Sequence, residues 1–276
     1  GYEAFLAIEL DAHKEAFHHN FAPNGEYTPE RLQDFHDPTR AMFVGEGHQP
    51  PAGEKPMAVF MAGGTASGKT SIVGTPKLDG TGEFKGGLID VGSGNVSVNP
   101  DAIKPLSDEA HDLMMSGDER WAMLSHEESS HIANRIRKDA EQSGFPMVVD
   151  GTGDAQPGKF MGKVRAAEKA GYRTKIVMVD IPTEEAIKRA KKRTADEAKQ
   201  TGGAGRKVSE SAIRSLHQNV TQRHLEWREE TYDWEVWAND DPEQGGRRMI
   251  ARRVNGGEPE ILEPERYKQL EAKANG

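Results

Sequence analysis

Cysteine is absent from all 276 residues. That excludes disulfide bonds, thiolate metal sites and a cysteine nucleophile, and it is compatible with a reducing compartment, so a cytoplasmic location is the expectation. Long hydrophobic runs are also missing: no apolar stretch approaches the length of a bilayer span, and no membrane segment is expected. Positive charge is in deficit, with 36 Lys and Arg against 45 Asp and Glu and a net charge of −9. Broad nucleic-acid binding needs Lys and Arg to neutralise phosphates along one face, and this balance argues against it. The first residue is Gly1 with no initiator Met before it, as expected of a trimmed chain or of a domain from a longer protein.

What is present suffices for one large α/β domain or two small ones, with no need of a staple, and a single core is the simpler expectation. The opening "YEAFLAIELDAHKEAFHHNF" spaces its apolar residues as an amphipathic helix does, and the Pro- and Gly-bearing "GEGHQPPAGEKP" reads as a surface linker. After it come short, nearly unbroken apolar runs at 57–63, 96–99, 147–151 and 175–181, with a further strand candidate at 232–240. Helical segments, roughly 101–115, 119–143, 158–170 and 183–199, separate them. Buried apolar strands alternating with helices predict a mostly parallel sheet with helices on both faces. The glycine-rich 75–95 reads as a loop or small hairpin, "NGG" between "RRMIARRV" and "EPEIL" as a hairpin turn, and 264–274 as a closing helix. The expected division is an N-terminal helical extension and linker (1–54), a core (55–240), and a C-terminal hairpin and helix packed on it (241–276).

The most specific signal is "GGTASGKT" with the following serine: Gly63, Gly64, Thr65, Ala66, Ser67, Gly68, Lys69, Thr70 and Ser71. It follows a predicted strand and opens a predicted helix, the context a P-loop requires. Glycines let the backbone curl so that successive N–H groups face phosphate oxygens, and the helix start adds partial positive charge. Lys69 would reach the β- and γ-phosphates of ATP, and the Thr70 hydroxyl would be a ligand of Mg²⁺.

Transfer of a phosphoryl group also needs a carboxylate to take the acceptor's proton. Asp101, in "VSVNPDAIK", follows a predicted strand at the edge where open α/β sheets bind ligands, although an Asp there could equally cap the next helix. Asp150 ends another apolar run and precedes Gly151 and Thr152; it would organise Mg²⁺ or touch substrate, or else stabilise a turn. On the helix after residue 119, the inward stripe reads Trp121, Leu124, Glu128, Ile132, Ile136. A carboxylate on such a stripe is costly unless it is paired or faces a cleft, which makes Glu128 a candidate substrate ligand; the alternative is a helix end lying in solvent. His126 and His131 lack metal-ligand spacing and read as structural. Two helical stretches, the first carrying Arg189 and Arg193, are joined by a hinge-like "TGGAGRKV" that contains Arg206; these arginines could stabilise charge on a transferring phosphate from a lid, and each could also be a solvated surface charge. The aromatics Trp227, Tyr232, Trp234 and Trp237 fit a strand packed on the core better than a base-stacking platform.

Taken together, "GGTASGKT", "NPDAIK", "HEESSHIANRI" followed by "VVDGTGD", "PTEEAIKRAKKR" and "GRKVSESAIR" resemble, in order and spacing, the zeta toxins, P-loop kinases of toxin-antitoxin systems and phages. The resemblance covers roughly 55–240. It implies a P-loop kinase fold, ATP and Mg²⁺, and transfer of the γ-phosphate to the 3′-hydroxyl of UDP-N-acetylglucosamine. It further implies Lys69 at the phosphates, Asp101 as general base, Arg189 and Arg206 on the transferring phosphate, and Asp150 and Thr152 on the nucleotide-sugar substrate. An antitoxin or immunity protein is the partner it implies. The sequence departs from the family where Asp150 replaces a longer Glu and Asp154 stands in place of a basic residue, and Glu128 aligns loosely with the family's helix glutamate. A polynucleotide or nucleoside kinase, or a nucleotide-dependent binding module without acceptor chemistry, are the alternatives.

Overall fold

The computed structural model describes residues 16–77, 81–153, 158–240 and 246–275. They condense into two compact units. One gathers the chain up to Gly45 with Val98–Lys138 and Lys191–Lys207; the other gathers Glu46–Ser97, Asp139–Ala190 and the chain from Val208 onward. Among the described residues the α-helices of four residues or more, in chain order, are α1 (Phe17–Phe21), α2 (Asp37–Val44), α3 (Lys69–Val73), α4 (Pro100–Ile103), α5 (Asp108–Met115), α6 (Trp121–Leu124), α7 (His126–Ser143), α8 (Lys159–Lys169), α9 (Thr183–Thr201), α10 (Glu210–Trp227) and α11 (Pro264–Lys273). The strands are β1 (Met57–Ala62), β2 (Thr75–Pro76), β3 (Phe84–Lys85), β4 (Val96–Val98), β5 (Met147–Val149), β6 (Arg173–Asp180), β7 (Trp234–Asn239), β8 (Arg247–Arg253) and β9 (Glu260–Ile261).

Among the described residues the second unit is built on a seven-stranded sheet in the order β4-β5-β1-β6-β7-β8-β9. β1 pairs in parallel with β5 and β6, and β6 with β7, whereas β7–β8 and β8–β9 are antiparallel. The apolar runs are continuous because both faces are covered. Val59 and Met61 pack with Ile72 and Val73 of α3 on one side. On the other, Phe60 meets Phe160 of α8 edge-on, and Phe160 in turn meets Trp227 of α10. Each large apolar side chain fully buried in this way contributes about 1.5–3 kcal/mol. β7 alternates as expected, with Trp234, Val236 and Ala238 buried, so the aromatic cluster is core; Tyr232 alone of the four is exposed. The "NGG" hairpin forms with Asn255 and Gly256 at positive φ, and it continues the main sheet. The short hairpin β2–β3 occupies the 75–95 segment, in which 78–80 lie outside the described residues.

In the other unit, Phe17, Ala110, Met114, Trp121, Leu124 and Ala204 form a core. The helix expected at 101–115 is broken: Pro105 stands in the 3-10 turn Lys104–Leu106, and Ser107 caps a fresh helix by accepting from Ala110 N–H at 3.2 Å. The helix expected at 119–143 is likewise two, α6 and α7, divided at Ser125. Of the amphipathic opening helix only α1 falls among the described residues. No helix among the described residues is long and apolar enough to cross a membrane.

α11 is held to the sheet unit by charge. Arg266 donates to Asp180 at 2.7 Å and to both oxygens of Asp240, and Lys273 donates to Asp180 and to the Ile181 carbonyl. Beside them His224 is fully buried among Trp227, Trp234 and Tyr267, hydrogen-bonded to the Tyr267 hydroxyl at 2.9 Å. Burial, with help from Arg228, pushes the His224 imidazole down to about 3. The unfolded chain takes up this proton near 6.5 while the folded chain stays neutral, so stability is lost as pH falls through the window from 6.5 toward 3. We expect urea unfolding across that window to lose about 1.4 kcal/mol per pH unit through this group. His224→Gln should flatten the slope, and an unchanged slope would remove His224 as its source.

Candidate active site

Strand β1 ends at Ala62 and the chain enters the loop of residues 63–68 before α3 starts at Lys69. Gly63 and Gly68 adopt positive φ (145° and 85°), and so does Ala66 (60°). A Cβ at Gly63 would lie 2.5 Å from the Val179 carbonyl oxygen, so only glycine lets the loop pass β6 here. The Lys69 ammonium donates to the Gly63 carbonyl at 3.2 Å, which lays the side chain along the loop. Gly63 N–H donates to the Thr152 carbonyl at 2.9 Å, fastening the loop's entry to the segment after β5. Thr152, and half-buried Asp150 just before it, therefore stand beside the loop, as the pairing of β5 with β1 requires. Asp154 lies outside the described residues.

Two further side chains grip the loop, and the sequence reading missed both. His217 of α10 contacts the Thr65 carbonyl through Nε2 at 2.9 Å, and Asn239 at the end of β7 donates to the Ser67 carbonyl at 2.9 Å. Arg189 of α9 donates from Nη2 to the Asn239 carbonyl at 2.9 Å and from Nε to Glu185 at 2.7 Å. Arg189, the arginine expected on a phosphate, thus lies against the backbone of Asn239, whose side chain grips the loop. A polar residue on the buried stripe Ile213, His217, Val220 was the signal for His217, the same kind of signal that singled out Glu128.

Within the other unit, Asp101 and Arg206 come together. Asn99 is the helix cap, accepting from Asp101 N–H at 2.9 Å, so the capping role considered for Asp101 belongs to its neighbour. The Asp101 carboxylate is half exposed, accepts from Lys104 at 2.6 Å, and lies 3.3 Å from Arg206 Nη1. Arg206 is oriented by Glu197, which also accepts from its backbone N–H at 2.9 Å. Burial would raise the Glu197 carboxyl, but hydrogen bonds from Arg206 hold it below the ordinary range. Arg193 is pulled down by burial and by Arg206, against Glu197 and Asp101. Among the described residues Lys104, Arg193 and Arg206 stand around Asp101 and Glu197, and their charge is of the sign a phosphate needs.

The segment expected to be a hinge is packed instead. A Cβ at Gly203 would lie 2.3 Å from the Met114 carbonyl oxygen, and at Gly205 2.0 Å from that of Thr194. Trp121 Nε1 donates to the Ala204 carbonyl and the Thr194 hydroxyl to that of Arg206. Those two glycines serve close approach, which on sequence alone looks the same as flexibility.

Glu128 is also accounted for by pairing. It is 2% exposed and accepts from Arg31 Nε and Nη2 at 2.8 and 2.9 Å and meets His36 Nε2 at 2.9 Å. Arg31 holds Glu109 as well and stacks on Phe21 and Phe35. His131 joins the rings of Tyr27 and His36, a structural place as expected. Burial would raise the Glu128 carboxyl, yet the hydrogen bonds from Arg31 and His36 hold it below 4.5. A depressed carboxyl contributes stability above its unfolded value that is lost as pH falls through the folded one. We expect Glu128→Ala to cost about 3 kcal/mol at neutral pH, because Arg31 and the buried His36 lose the carboxylate they share. Glu128→Gln should weaken the loss of stability below pH 4.5, read by circular dichroism during acid titration.

A protein-family model described as Zeta toxin matches residues 44–239. Among solved structures, the crystal structure of AvrRxo1-ORF1 with AvrRxo1-ORF2 and sulphate ions aligns at TM-score 0.66 and 20% identity, covering 92% of this chain and 77% of that one. The same pair with ATP gives 0.65 and 19%, over 90% and 74%. A chain of the PezAT chromosomal toxin-antitoxin system of the human pathogen Streptococcus pneumoniae gives 0.58 and 11%, over 91% and 97%. No curated protein matches the sequence. At these identities the structural likeness is one of fold.

Proposed function

This chain belongs to the zeta toxin family, and we propose that it transfers the γ-phosphoryl group of ATP to the 3′-hydroxyl of UDP-N-acetylglucosamine. The observation that carries the reading is the loop after β1, with glycines at positive φ and its carbonyls at Gly63, Thr65 and Ser67 held by Lys69, His217 and Asn239. Such a backbone presents N–H groups to an anion. The acceptor is drawn from the family resemblance.

In this reading Lys69 bears on the β- and γ-phosphates, and the Asp101 carboxylate takes the acceptor hydroxyl's proton as its oxygen bonds to phosphorus. The bond from phosphorus to the bridging oxygen breaks, and its electron pair leaves with ADP. Arg206, with Arg193 and Lys104 beside it, balances the charge spread over the transferring group, a role the family resemblance implies for Arg189 as well. Asp150 and Thr152 bear on the nucleotide sugar. Glu128, already paired with Arg31 and His36, is left out of the proposed substrate contacts. The residues fit Mg²⁺: Thr70 is exposed in the first turn of α3, and its hydroxyl is the kind of hard oxygen ligand that an ion also taking phosphate oxygens and water accepts. When bound, the ion would neutralise phosphate charge, with Thr70 its ligand from the chain. Because the structurally similar AvrRxo1-ORF1 and PezAT chains come from a two-chain complex and a toxin-antitoxin system, we extend the reading to a neutralising protein partner.

Incubation with ATP, Mg²⁺ and a panel of nucleotide sugars, nucleosides and oligonucleotides, followed by mass spectrometry, tests the acceptor. One added phosphate on UDP-N-acetylglucosamine is expected; a phosphate on a nucleoside or a 5′-hydroxyl, or none at all, would replace this reading. Asp101→Asn should lower kcat by about 10²- to 10⁴-fold while ATP affinity stays within a factor of about two. Undiminished turnover would remove Asp101 as the base.

A further inference from the structure

His217 and Asn239 belong to no motif of the sequence, yet two glycines of the phosphate loop are shaped around them. A Cβ at Gly64 would lie 2.3 Å from the His217 ring, and one at Gly68 would lie 2.2 Å from Asn239 Nδ2. Both side chains are buried. A carbonyl can only accept, so His217 is a donor through Nε2–H, and burial pushes its pKa down toward the neutral ring. Asn239 likewise presents its amide NH₂ to the loop.

The consequence follows from the peptide plane. In a trans peptide the C=O of one residue and the N–H of the next point in opposite directions. Holding the Thr65 carbonyl from one side therefore turns the Ala66 N–H to the other, and holding the Ser67 carbonyl does the same for Gly68 N–H. The intervening Ser67 N–H turns back to the Gly64 carbonyl at 3.2 Å, whereas no backbone carbonyl among the described residues answers Ala66 or Gly68. We propose that His217 and Asn239 are positioning residues of the phosphate cradle, aiming the Ala66 and Gly68 amides at the nucleotide's phosphates. The inference rests on reading this loop as the ATP site. Asn239 has a second task, because its own carbonyl receives Arg189.

The test is nucleotide binding by the full chain without any acceptor, using a fluorescent ATP analogue and adenosine as competitor. Asn239→Asp, which turns a donor into an acceptor facing the Ser67 carbonyl, and His217→Phe should each weaken ATP binding about tenfold or more. His217→Gln, which keeps a donor, should recover most of the loss. Adenosine affinity should not change. ATP binding within twofold of wild type in both donor-deleting variants would overturn the proposal, as would equal weakening of ATP and adenosine, the mark of a general structural fault. If those variants do not fold, the wild-type chain decides: on saturation with ATP the Ala66 and Gly68 amide resonances should shift more than that of Ser67, and the reverse order overturns the proposal. A wild-type chain that binds no ATP overturns the kinase reading and this inference together. A chain that binds ATP and transfers phosphate but ignores these substitutions overturns the inference alone.

Discussion

A loop that turns its amides toward a ligand must find donors for the carbonyls it turns away, because an unanswered buried carbonyl costs free energy comparable to a lost hydrogen bond. Much of the sheet unit is arranged around that constraint. Lys69, His217 and Asn239 each take one carbonyl of the loop, and they come from α3, α10 and the end of β7. β7 can deliver Asn239 because it pairs in parallel with β6, which itself pairs with β1 along its whole length. The glycines then follow as a steric requirement of the donors: the His217 ring and the Asn239 amide occupy the space that Cβ atoms at 64 and 68 would fill. α10 is fixed in turn by α11, through Gln222 on the Ala274 carbonyl and Arg228 on Tyr267 and Glu271.

The other unit relies on ion networks of two kinds. Around Glu128, Arg31 and His36 leave a buried carboxylate fully engaged, and Glu109 takes the remaining face of the guanidinium. Glu128 itself is 2% exposed and engaged by both partners, which suits a fastening for the segments that carry Arg31 and His36. Around Asp101 the carboxylate is half exposed and has cations beside it, so the group can meet a substrate without leaving a buried charge unpaired. Burial and charge balance, more than residue type, separate the structural glutamate from the candidate base.

Much of the sheet was legible in the sequence because strands covered on both faces read as unbroken apolar runs: each of the four runs is a strand, and β7 was legible from its alternation instead. Helix ends were less legible. Pro105 and the Ser107 cap divide one predicted helix, and Ser125 divides another, since periodicity extends through a break that keeps the same face inward. Glycine was ambiguous in its nature: at 203 and 205 it marks a close approach to backbone carbonyls, not a hinge. The Glu128 stripe was counted correctly, with Trp121, Leu124, Ile132 and Ile136 all buried, but its partners Arg31 and His36 lie about 90 residues earlier and no local pattern links them.

The same contrast explains why the donor half of the candidate site could be read and the acceptor half less so. A phosphate is bound largely by backbone, and backbone binding leaves a trace in the spacing of glycines, because only they allow the required φ and approach. An acceptor hydroxyl is chosen by side chains, and the proposed ones come from separate stretches of sequence: Asp101 follows β4, Thr152 follows β5 and Arg206 follows α9. Each alone resembles a cap, a turn or a surface charge, and its meaning depends on neighbours such as Glu197, which orients Arg206, or Asn99, which leaves Asp101 free of capping duty. Those neighbours are ordinary residues in ordinary helices. Their roles arise only when folding places them against one another, which is why Asn99, Glu197, His217 and Asn239 carry so much of the site and so little of the motif.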